Sequence, residues 1–154
     1  MTPDQEIALS RASLLLRVWL GGNMLLVHGI PKAMNAQSFV DKVDSWMPRF
    51  PHIDWVGMLG GGALDGLAHK LPQVPSLGWA AILAETIGSV CLVFGFATRW
   101  SATFLFVTML VAGIGAHAGD SWKEREFVFT YAVMALSLIF LGGGLYSYDG
   151  RRLS

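Results

Sequence analysis

Apolar residues in this chain fall in long unbroken runs, not at every third or fourth position as on a half-buried surface helix. Four runs stand out, at 12–30, 78–97, 100–118 and 127–146; the first holds one charge, Arg17, the second one, Glu85, and the other two none. Each matches the roughly 20 residues that an α-helix needs to cross a bilayer core. A soluble bundle would need a polar face on every helix, and these runs have none to offer. Because the runs are continuous and not alternating, they predict helices and not barrel strands. The expected fold is all-α: an integral membrane four-helix bundle forming one domain over 1–154.

The connections are unequal. Thr98 and Arg99 are nearly all that separates the second and third runs, which predicts an antiparallel hairpin, and a short charged turn over 120–125 leads into the fourth. The first connection, 31–77, is far longer. It begins with Ser38 as a candidate N-cap and Asp41 three residues on, and Phe39, Val40, Val43, Trp46 and Met47 then recur at helical spacing until Pro48 and Pro51. A Gly-rich apolar patch follows from Ile53 to Leu71. These features predict short amphipathic or re-entrant helices lying on, or dipping into, the membrane surface. Gly142 to Gly144 read as a helix terminus. The leader carries Asp4 and Glu6 in place of a basic n-region, so the first run is expected to be a retained span and not a signal peptide.

Composition narrows the function. With a formal net charge of zero and only 14% charged residues, the chain has no basic face to neutralise phosphates, which argues against nucleic-acid partners. A single cysteine, Cys91, excludes a disulfide framework, a CxxC redox pair and a cysteine-built zinc site. Arg11, Arg99, Arg151 and Arg152 fall in short segments at one end of the bundle, which by the positive-inside rule predicts cytoplasmic termini in a bacterial-type cell membrane.

Depth along the helices groups the remaining polar residues. Arg17 lies about 8 Å from one membrane boundary, and Glu85 about 10 Å from the other. At the Glu85 level the four spans also bring His28 and Lys32, Trp79, His117, and Glu126 with Tyr131. A carboxylate in lipid costs a few kcal/mol unless paired, so Glu85 is expected to face the interior, with Lys32 able to satisfy it. Taken singly, each residue has a structural reading: interfacial histidines, a solvated helix-start acid at Glu126, a packing aromatic at Tyr131. Taken together they permit a weakly signalled metal site, a pocket for a small amphipathic ligand, or a proton relay serving quinone reduction, with Trp79 and Phe127 as ring-stacking surfaces. In the relay, Glu85, His28 and His117 would exchange protons, while Lys32, Trp79, Glu126 and Tyr131 would hold the ligand. At the opposite end, Asp149 paired with Arg99 or Arg17 is expected to pin the helix ends.

Arg17 with Gly21, His28-Gly29 with Lys32, Glu85, Gly95 with Thr98-Arg99, His117, Glu126 with Tyr131, and Gly142, Gly144, Ser147 and Asp149 together resemble the DoxX family of small four-span membrane proteins. The resemblance covers the four spans and not the long first connection. It implies a membrane redox component: a multi-pass subunit of an oxidoreductase system, working beside a partner oxidoreductase subunit or as a homo-oligomer, with a quinone as the possible cofactor. No flavin, haem or iron-sulfur motif is present, so electrons would have to come from that partner. The alternative is a non-enzymatic anchor or assembly protein whose buried charges only lock the helices.

Overall fold

The computed structural model describes residues 2–46, 77–117 and 120–151, and within these every element is helical. The first rod runs without a break from Pro3 to Met34, as α1 (Pro3–Asn23), a π-helical segment π1 (Met24–Gly29) and α2 (Ile30–Met34). It starts earlier than its apolar run because Thr2 forms a capping box: its hydroxyl accepts from Gln5 N–H, and the Gln5 side chain accepts from Thr2 N–H at 3.0 Å. It also continues through Pro31, where the sequence predicts the start of the long connection. Pro31 stands in the first turn of α2, directly after the π segment, where its missing N–H is tolerated.

Helix α3 (Ala36–Trp46) follows, close to the predicted amphipathic stretch, although Ser38 lies inside its first turn and does not cap it. Val40 and Val43 bury its apolar face, and Val40 meets the bare Gly78 backbone at the start of the next rod. The predicted stops at Pro48 and Pro51, and the Ile53 to Leu71 patch, lie outside the described residues.

The second rod comprises α4 (Leu77–Leu83), π2 (Ala84–Gly88) and α5 (Ser89–Phe94). Gly95 ends it in the left-handed conformation, φ 69°, with Phe96 N–H returning to Cys91 O at 2.8 Å. The third rod is α6 (Thr98–Val111) and π3 (Ala112–Ala116), and the fourth is α7 (Trp122–Leu141). Gly142 stops α7, so Tyr146, placed within the fourth apolar run, belongs to the turn that leads to α8 (Tyr148–Arg151).

Among the described residues, two charges are buried while large apolar side chains are exposed. Arg17 and Glu85 are 0% exposed, whereas Leu15, Trp100 and Phe140 are each more than 70% exposed. Leu20, Met24, Leu92, Leu105, Met109, Val128 and Leu138 form the apolar centre, with Ala102, Ala132 and Ala135 letting α6 and α7 approach closely. The rod from Pro3 to Met34 is long and apolar enough to cross a membrane by itself, while the apolar helices Gly78–Phe94 and Thr98–Ile114 are shorter.

Candidate functional site

Among the described residues there are three π-helical segments, and each carries or immediately precedes one of the ionisable residues singled out above. His28 lies in π1, Glu85 in π2, and His117 directly after π3. A π turn holds one residue more than an α turn, which shifts the angular phase of everything beyond it, and such insertions recur at functional sites. Here Ile30 N–H reaches back to Leu25 O, across the wider turn.

The phase shift aligns Lys32 with Glu85. The ammonium lies 2.6 Å from both carboxylate oxygens, and the Glu85 side chain is almost wholly buried while Lys32 is a quarter exposed. Lys32 also stands 4.8 Å from the centre of the Phe39 ring, so α3 covers the pair from outside. Gly29 allows this approach: a Cβ built there would lie 2.5 Å from the Glu85 carbonyl oxygen. Gly29→Ala is therefore expected to force the two π segments apart and cost about 1–3 kcal/mol. Thermal unfolding in detergent checks this; a variant as stable as the parent would mean the backbones are not in contact.

A ring cluster adjoins the pair. His28 stacks on Phe127 with centroids 6.3 Å apart and meets Tyr131 edge-on at 5.8 Å, while His117 meets the other edge of the cluster at Phe127, 5.6 Å away. Phe127 and Tyr131 are one turn apart on α7 and 6.3 Å apart in space. His117 Nδ1 is 2.6 Å from Asp120 Oδ2, a pairing not predicted above whose signal is the i, i+3 spacing of the two residues. The structure thus brings together Lys32 with Glu85, and His28, His117 and Tyr131 around Phe127. Trp79 and Glu126 are exposed, and no side-chain hydrogen bond or ring contact joins them to the cluster among the described residues.

The other end of the bundle is a clasp. Arg17 donates to the carbonyls of Leu92 and Val93 at 3.4 Å and of Tyr146 at 3.1 Å. Asp149, expected to pair with Arg99 or Arg17, instead accepts from the N–H groups of Ala97 at 2.9 Å and Thr98 at 2.8 Å. These are unsatisfied donors at the start of α6, so a carboxylate is well placed there. Ser13 donates to Gly142 O, and Ser10 accepts from Leu145 N–H. Burial alone would raise the Asp149 carboxyl, but the hydrogen bonds from Thr98 and Ala97, with the charge of Arg17, hold it below its ordinary value. Because the folded value is the lower one, this stabilisation is complete above the ordinary carboxylate range, about pH 4, and fades as pH falls through the folded value. Stability should therefore drop on acidification below about pH 4, and less steeply in Asp149→Asn, as followed by melting temperature against pH.

The described helices combine buried charges with exposed apolar side chains, and one rod has membrane-crossing length. The DoxX family model matches residues 12–118, and the chain belongs to that family, whose members are membrane proteins often associated with oxidoreductase-related functions. The match takes in Arg17, His28, Lys32, Glu85, Arg99 and His117. No curated protein and no solved structure matches the chain.

Proposed function

We propose that the protein is a four-span subunit of a membrane oxidoreductase system, with both termini cytoplasmic, that offers a quinone or similar redox ligand a site at the His28, Glu85 and His117 level. The observation that carries this reading is that His28 and Glu85 lie in π segments and His117 directly follows one, with both histidines against the Phe127 ring. The residues fit such a ligand: Phe127 and Tyr131 supply ring surfaces, and His28 and the Tyr131 hydroxyl supply hydrogen-bonding atoms beside them. A bound quinone would accept two electrons from a partner subunit and two protons, becoming a quinol. This chain's part is to hold the ring, to position protons at the imidazoles of His28 and His117, and to fix the field through the Lys32–Glu85 pair, with Trp79 and Glu126 on the approach.

Purified protein should therefore carry quinone detectable by mass spectrometry, and His28→Ala with His117→Ala should lose it while remaining folded. A second reading, an anchor for a partner protein, draws on the fact that Lys32 already satisfies both Glu85 oxygens. A folded, quinone-free parent protein that binds no added quinone would leave the anchor as the function.

A further inference from the structure

The end of the molecule remote from the His28 cluster contains a cavity of about 820 Å³ that the proposed redox site does not use. Its floor is the glycine turn after α7. Gly142 and Gly144 both adopt the left-handed conformation, at φ 69° and 68°, and the N–H groups of Gly143 and Gly144 donate to no described partner. Gly143 is itself buried, and a buried N–H without an acceptor is uncommon. Consecutive open N–H groups beside left-handed residues form a nest, a concavity suited to an anionic oxygen.

The charges on the wall refine this. The Arg99 side chain lies over Gly142, close to the position a Cβ would occupy there, and its guanidinium has no described ionic partner. Glu6, on the first turns of α1, lines the same cavity and also has none. The remaining acid, Asp149, has both oxygens engaged by Ala97 and Thr98. Above the polar floor rise exposed apolar side chains, Leu9, Trp100 and Phe140. The cavity therefore combines open N–H groups beside a guanidinium, a carboxylate with no ionic partner among the described residues, and an apolar wall.

We infer that this cavity binds a membrane phospholipid with an ammonium-bearing headgroup, of the phosphoethanolamine type. The phosphate sits on Arg99 and the Gly143 and Gly144 N–H groups, the ammonium faces Glu6, and an acyl chain runs along Leu9, Trp100 and Phe140. Basic pockets at the ends of membrane helices hold lipid phosphates. Glu6 makes this one select a zwitterion over a purely anionic lipid, by charge complementarity. The inference needs the membrane placement that family membership gives, and it is independent of the quinone reading.

Native mass spectrometry of the detergent-solubilised full chain, titrated with phosphatidylethanolamine, phosphatidylglycerol and inorganic phosphate, tests it. Phosphatidylethanolamine is expected to be retained about fivefold better than phosphatidylglycerol, the effect of one exposed ion pair. Arg99→Gln should weaken retention of both lipids, and Glu6→Gln should abolish the preference while leaving binding. Both side chains are exposed and have no ionic partner among the described residues, so neither change threatens folding. Equal or better retention of phosphatidylglycerol by the parent, an Arg99→Gln variant that binds as the parent does, or lipid displaced by inorganic phosphate at matched concentration would each overturn the assignment; the last would mark a free-anion site.

Discussion

Lys32→Met should be the most damaging single substitution in the protein, at about 3–5 kcal/mol, because it leaves the Glu85 carboxylate buried without the one side-chain partner it has among the described residues. A loss on the order of 10 °C in melting temperature is the readout. The double variant Lys32→Met with Glu85→Leu removes both charges and the desolvation cost of each, so it should recover to within about 1–2 kcal/mol of the parent. That recovery separates fold from function: the double variant is expected to be stable and yet to lose the ligand, if the pair sets the field at the site. A double variant that keeps both stability and bound quinone would remove the pair from the functional reading. A Lys32→Met protein melting with the parent would show that the pair is not sealed from water.

Arg17→Leu comes second, at about 3 kcal/mol or more. Its guanidinium donates to three carbonyls from two different parts of the chain; Leu92 O keeps the Gly95 N–H at 3.0 Å, but the Val93 and Tyr146 carbonyls lose their described donor, at about 1–3 kcal/mol each. Leu92 and Val93 belong to the last turn of α5, where a cation is favoured. Arg17→Lys keeps the charge but not the planar fork, so it should recover only part of the loss. Hydrogen exchange over 142–151 is the sensitive measurement, since the Tyr146 carbonyl ties that turn to α1. Unchanged exchange there in Arg17→Leu would mean that the Ser10, Ser13 and Asp149 contacts hold the clasp without it.

Much of this architecture was legible because lipid imposes a simple demand. An acid in the middle of an apolar run must find a cation at the same depth, and Lys32 was the available one. The glycine stop at Gly142 was readable for the same kind of reason, since only glycine takes φ near 69° without strain. What could not be read is the phase of each helix. The π segments have no compositional mark: Met24 to Gly29 continue the apolar run with no break in it, so nothing announces that Lys32 is turned onto Glu85 or that Pro31 lies within a rod. Asp149 illustrates a different blind spot. Sequence displays charges but not orphan amides, so the two N–H groups at the start of α6 were invisible as competitors to Arg99 and Arg17.

The three π turns also set what kind of genetic change the protein tolerates. Each inserts one residue relative to a regular α turn, so losing a single codon within 24–29 would restore a conventional spiral without leaving a gap in the chain. Every residue beyond it would then be rotated by about 100°, turning Lys32 away from Glu85 and carrying α3 off its seat on Gly78. Length within these short stretches is thus as constrained as residue identity, and a homologue one residue shorter there would need a matching loss in π2 to keep its cation and acid in step.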